Sequence, residues 1–271
     1  MSESLQDKLS LAAVYIRFLD GDVALANASA FLWKYEGNAF LISNWHNFTG
    51  RNPKTKCALH STTHVPDHVE CHFYKSRFLD GAKTVSYIPE SFNFPLYYPD
   101  SRPRFFEHHL GSEVDVAALP IDLPEDVTPF FLNDQDFDDR IKLYPGQDVF
   151  IIGYPLGPIT GNTLPLWKRG TIASEPYVLI DGLKKLYIDT ATRPGMSGSF
   201  VFAQHTGLFS PTKSEMTLGS WLGSGRTILG VYSGRIGPHD FEAQVGIVWH
   251  REVIEELLSK KIIADVANTN P

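Results

Sequence analysis

Short apolar runs of four to six residues, alternating with polar positions or apolar throughout, recur along the chain and are separated by turn-forming residues. This spacing predicts strands at Ala12-Ile16, Ser29-Trp33, Ala39-Ser43, Val69-Phe73, Val116-Leu119, Asp148-Gly153, Gly170-Ser174, Leu186-Asp189, Ser199-Phe202, Ile228-Tyr232 and Val245-Trp249. One segment has helical spacing instead: residues 251–262 put Ile254, Leu257, Leu258 and Ile262 on one face. Its acids come early and its lysines late, which suits the helix dipole. The expected architecture is therefore all-β with a C-terminal helix.

Between the fifth and sixth runs lies a polar, acidic stretch from Pro120 to Gly146, which marks a linker between two β units. Residues 203–226 are longer and more polar than a tight hairpin needs, and such a stretch can cover a site or bind a partner. The last residues, from Val266 on, read as a tail.

Composition narrows the function classes. The 271 residues are 43% hydrophobic and 20% charged, with 21 glycines and 18 prolines, a turn-rich globular composition. The net charge of −7 is spread without blocks of one sign, which argues against a nucleic-acid or membrane-surface footprint. No apolar run approaches the roughly 18 residues needed to span a bilayer. The opening MSESLQDKLS lacks the basic start and long apolar core of an export signal, so the expected compartment is the cytoplasm. Cys57 and Cys71 allow one bridge at most.

The sharpest chemical signal is Pro194-Gly-Met-Ser-Gly-Ser199 between two predicted strands. Glycines at −2 and +1 let the backbone turn tightly and bring N–H groups close to a carbonyl, which places Ser197 as a nucleophile would be. A nucleophilic serine needs a base, and His46 directly follows the strand at 39–43. The base needs an orienting carboxylate, and Asp115 opens the strand at 116–119. Taken singly, each motif also fits an ordinary turn or surface residue. Their order along the chain, with separations of 69 positions from His46 to Asp115 and 82 from Asp115 to Ser197, makes them a set.

These residues, with Phe31-Leu32, Leu41-Ile-Ser-Asn-Trp-His46, Val114-Asp-Val-Ala-Ala-Leu119, Ile152-Gly-Tyr-Pro-Leu-Gly157, Asp189 to Ser199 and Gly230-Val-Tyr-Ser-Gly234, resemble the trypsin-like serine peptidases, within them the bacterial Deg-type domains. The resemblance spans roughly residues 10–260 and is weakest over 51–113. It implies two six-stranded Greek-key β-barrels of the chymotrypsin type, residues 1–125 carrying His46 and Asp115 and residues 126–271 carrying Ser197. It also implies a cofactor-free, metal-free serine endopeptidase acting on polypeptides through an acyl-enzyme.

In that frame Ser197 attacks, His46 shuttles the proton, Asp115 orients the imidazole, and the N–H groups of Gly195 and Ser197 form the oxyanion hole. Ser233 reaches the carboxylate, although a plain hairpin end fits it too, and Ser233, Gly234 and Arg235 pair with substrate backbone. Ala191, Thr192 and Gly246 line the specificity pocket. With no acid at its base, a small or medium apolar P1 residue is expected, and Arg235 at the rim would instead draw an acidic one. Met196 stands where digestive members hold the carboxylate that captures a fresh N-terminus, so activation by cleavage is not implied.

Two other readings compete. One is a catalytically silent binding module on the same scaffold. The other is a zinc-stabilised interaction domain built on Cys57, His60, His64, His68, Cys71 and His72, whose spacing matches no common zinc pattern.

Overall fold

The structure is a computed structural model that describes residues 6–78, 85–158, 164–191, 193–209, 221–235 and 245–266. Each of the predicted strands is present. The first unit contains α1 (Lys8–Ala12), β1 (Ala13–Asp20), β2 (Val23–Tyr35), β3 (Asn38–Ser43), α2 (Trp45–Thr49), β4 (His68–Phe78), β5 (Val85–Pro95), β6 (Phe106–Glu107) and β7 (Ala117–Pro120). The second contains β8 (Asp148–Gly153), β9 (Leu166–Ile172), β10 (Lys185–Asp189), β11 (Phe200–Phe209), β12 (Trp221–Arg235), β13 (Val245–His250) and α3 (Arg251–Lys260), and is followed by β14 (Ile262–Ile263).

The second unit is a closed six-stranded barrel in the order β10-β13-β12-β11-β8-β9. The first is an eight-stranded sheet in the order β14-β6-β7-β3-β2-β1-β4-β5. It departs from the six strands expected because two short strands, β6 and β14, add to the β7 edge. They exist only through tertiary pairing, Ile262 opposite Glu107 and Ile263 opposite Phe106.

The apolar runs of β1, β3 and β7 are continuous because these strands are buried on both faces over most of their length. In β1, Val14, Ile16 and Phe18 enter a core within the first sheet, while Ala13 and Tyr15 enter a core between the two units. β8 does the same: Val149 and Ile151 fill the barrel, and Ile152 faces the shared core beside Phe200 and Phe202 of β11. Three cores result, and the middle one joins the units.

The helix α3 closes that middle core with Val253, Ile254, Leu257 and Leu258, all buried. It ends at Lys260, because Lys261 turns into the left-handed region (φ 47°) and its N–H caps the Leu257 carbonyl. Ile262, expected on the helical face, is therefore outside the helix and 40% exposed. The described parts of the stretch 203–226 are strand rather than loop. β11 and β12 run on together as far as Phe209 opposite Trp221, and residues 210–220 lie outside the described ones. Among the described residues no helix is long and apolar enough to cross a membrane.

Candidate active site

His46 lies on α2, a five-residue helix that starts two residues after β3. So short a helix is not stable by itself and must be seated by its side chains. Trp45 and Phe48 do this, at 1% and 0% exposure in the core of the first sheet. Asn44 holds the N-cap position, and its amide donates to the Asp115 carbonyl at 2.7 Å. Asp115 is itself fixed between two buried neighbours, Val114 and Val116, just before β7.

Three hydrogen bonds converge on the Asp115 carboxyl. Oδ1 accepts the His46 backbone N–H at 2.9 Å, and Oδ2 meets His46 Nδ1 at 2.7 Å. The Ser233 hydroxyl, from the other unit, donates to Oδ2 at 2.5 Å. A carboxylate only accepts, so the imidazole proton belongs on Nδ1 and Nε2 is left as the basic nitrogen. His46 keeps 18% of its side-chain exposure and Asp115 only 8%.

The Ser197 loop spans the end of β10 and the start of β11. Met196, fully buried in the barrel core, anchors it as Trp45 anchors α2. The position expected from digestive enzymes to carry an acid thus carries an apolar plug. Gly195 and Gly198 both have positive φ, 92° and 83°. A Cβ at Gly195 would lie 2.4 Å from the Tyr154 carbonyl oxygen, and one at Gly198 2.0 Å from that of Ser29. Only glycine fits either position.

The loop is gripped from the first unit by a residue the sequence reading did not single out. Ser29 N–H donates to the Ser197 carbonyl at 2.9 Å, Ser29 Oγ donates to the Gly195 carbonyl at 2.8 Å, and Tyr154 N–H donates to Ser29 Oγ at 2.9 Å. The signal available was a serine heading the predicted apolar strand Ser29-Trp33, and the structure buries it completely. Within the loop, the N–H groups of Met196, Gly198 and Ser199 donate to Arg193, Tyr232 and Met196 carbonyls. Those of Gly195 and Ser197 are not among the bonds that fix the loop in the described residues.

The remaining predicted positions spread around this loop. The Cβ site of Gly234 is 4.0 Å from Ser197 Oγ, so β12 passes directly beside the serine. Ser233 and Gly234 lie where the β12–β13 register breaks, between Tyr232 and Arg235, and Arg235 pairs with Gly246. Gly246 is buried, and the Cβ side of its backbone faces the Tyr232 ring and Ile188, inside the barrel. Ala191 is exposed beyond β10, and Thr192 lies outside the described residues. Nearby, burial first and the Arg193 charge second lower the pKa of Lys168 on β9.

The Cys/His group does not converge. Cys71 is buried in the first core while Cys57 is exposed. His60 meets Thr62 at 2.7 Å, His64 meets Asp20, His68 meets Asp67, and His72 packs edge-on against Tyr15. Among the described residues no three His, Cys, Asp or Glu side chains are grouped to hold a metal ion.

A barrel and a sheet sharing one core, with a glycine-bounded serine loop gripped at their junction, define the class of trypsin-like folds. The family model described as a trypsin-like peptidase domain matches residues 28–209, and the chain belongs to that family. No curated protein matches the sequence. Among solved structures, the inactive form of the Rv3671c protease is 17% identical, covering 93% of this chain and 90% of that one, with a TM-score of 0.46. The active form from M. tuberculosis is 15% identical over 95% and 83%, also at 0.46. The serine endoprotease from Yersinia pestis is 12% identical, covers 96% of this chain and 68% of that chain, and has a TM-score of 0.50, a likeness of fold alone.

Proposed function

We propose that the chain is a serine endopeptidase, with residues 1–125 supplying His46 and Asp115 and residues 126–271 supplying Ser197. The observation that carries this reading is the Asp115 carboxyl, which takes two hydrogen bonds from His46 and one from Ser233 across the junction. In this mechanism Nε2 of His46 takes the Ser197 hydroxyl proton as Oγ attacks the scissile carbonyl. Asp115 keeps the proton on Nδ1 and supports the imidazolium that forms. The protonated imidazole then returns its proton to the leaving amine, and water repeats the sequence on the acyl-enzyme.

The N–H groups of Gly195 and Ser197 are the oxyanion donors, and losing one such donor costs about 10²–10³ in rate. Ser233, Gly234 and Arg235 at the end of β12 pair with the substrate backbone as an added strand. Ala191 and Gly246 flank the P1 side chain, with a preference for small or medium apolar residues. No cofactor takes part in any step.

Digestion of a denatured proteome with the full chain tests this. Labelling of new N-termini is expected to show cleavage after small or medium apolar residues with the native chain, and none with Ser197→Ala. Equal patterns from the two proteins, or no new N-termini from either, would contradict the proposal.

A further inference from the structure

Trp45, immediately before His46, is fully buried, yet its indole carries a polar N–H that needs a partner. That partner is Glu107, a carboxyl at 8% exposure whose Oε2 accepts from Trp45 Nε1 at 2.7 Å. The other oxygen, Oε1, accepts the backbone N–H of Asp265 at 3.1 Å. Glu107 belongs to β6, which pairs with β14, and the next residue, Ala264, adds an N–H to the Phe105 carbonyl at 3.1 Å. One buried carboxyl thus connects the helix of His46 to the segment that follows α3. Lys56, with its ammonium 4.8 Å from the Trp45 ring centroid, holds the same indole in place.

A buried carboxyl is costly unless both of its oxygens are satisfied, so its presence in an apolar neighbourhood needs a reason. A two-residue edge strand could be held by apolar packing alone. What the carboxyl adds is direction, because it fixes the rotation of the Trp45 indole and so of a helix with little intrinsic stability.

We propose that Glu107 is a positioning residue for His46, acting through Trp45, and that docking of residues 262–265 sets the orientation of the imidazole against Asp115. The proposal rests on the reading of His46 as the general base.

Its test uses the full chain with Glu107→Ala, Glu107→Gln and Trp45→Phe. The readouts are the downfield proton NMR signal of His46 Nδ1–H, assigned by its loss in His46→Ala, the fluorophosphonate labelling rate of Ser197, and the melting temperature. Glu107→Ala and Trp45→Phe are each expected to shift or broaden the His46 signal and slow labelling about tenfold or more. The double variant should be no slower than Glu107→Ala. Glu107→Gln, which keeps an acceptor for the indole, should retain most of the rate.

A lower melting temperature with an unchanged His46 signal and labelling rate would overturn the proposal and leave Glu107 a purely structural role. Should Glu107→Ala not fold, Trp45→Phe decides by the same criteria. If the native chain is not labelled but its His46 signal responds to these variants, the nucleophile assignment fails and the clamp stands. An unresponsive signal ends the clamp whatever the labelling.

Discussion

Ser233 and Asp115 meet across the junction of the two units: the Ser233 hydroxyl donates to Asp115 Oδ2, the oxygen that also faces His46 Nδ1. The contact ties the register break of β12 to the start of β7, so the carboxyl is oriented by both halves of the molecule. A hydrogen bond to a charged group typically contributes about 1.5–3 kcal/mol.

Ser233→Ala removes that bond while His46 keeps its two bonds to Asp115. Labelling of Ser197 by a fluorophosphonate is expected to slow by about tenfold, corresponding to about 1.4 kcal/mol. Losing a bond of that size should also lower the melting temperature by several degrees. A labelling rate equal to that of the native chain would show that Ser233 is an ordinary hairpin-end residue.

Ser29→Ala tests the grip on the serine loop. It takes the Ser29 hydroxyl away from the buried Tyr154 N–H and from the half-buried Gly195 carbonyl. A buried N–H deprived of its acceptor costs about 1–3 kcal/mol, so urea denaturation should show a loss of about 1 kcal/mol or more. Labelling should slow as well, because the loop also carries the oxyanion donors.

Gly198→Ala should be more severe. The new methyl would sit 2.0 Å from the Ser29 carbonyl oxygen and 2.2 Å from Ser43 Oγ, at a φ of 83°. Backbone strain and overpacking each contribute about 1–3 kcal/mol, so a combined loss of about 3 kcal/mol or more and loss of labelling are expected. Native-like stability for this variant would mean that the loop has a different path.

Much of this architecture was legible because burial on both faces writes continuous apolar runs, as in β1 and β8. What escaped has physical reasons. β5 carries Ser86, Pro89, Ser91 and Asn93 on a sheet edge, so it lacks the composition of a strand. β6 and β14 are each two residues long and are defined only by long-range pairing, β6 with β7 and β14 with β6. The outer halves of β11 and β12, from Gln204 to Thr206 and Gly223 to Arg226, carry polar residues and glycines on paired strands, which erases the alternation that marks a half-buried strand.

Of the proposed site, Ser197, His46 and Asp115 stand out as candidates from turn chemistry and order. The bonds that set them were not. Ser29 reaches Gly195 over 166 residues and Trp45 reaches Glu107 over 62. No local pattern encodes either contact.

Stability should fall with acid in two stages. Burial lowers the pKa of His108, only partly offset by its Glu256 hydrogen bond, and burial likewise lowers that of His250. The unfolded chain protonates these groups near about pH 6.5, above the folded values, so it binds more protons in that window and stability drops as the pH falls through it. For Glu256, burial pushes the carboxyl up, but hydrogen bonds from Lys184 and His108 outweigh it and hold the pKa below its usual value. Its contribution is complete above about pH 4.5 and is lost at lower pH. Melting temperatures measured from about pH 8 to pH 4 should be level near neutrality and decline below about 6.5. A midpoint that rose between pH 7 and 5 would contradict this balance.

The central claim is that Ser197 is a nucleophile activated by His46. Labelling with a fluorophosphonate probe, comparing the folded native chain with Ser197→Ala and His46→Ala, tests it most directly. The account predicts a covalent adduct on Ser197 in the native chain alone. No adduct on folded native chain, or an adduct that persists in Ser197→Ala, would contradict it.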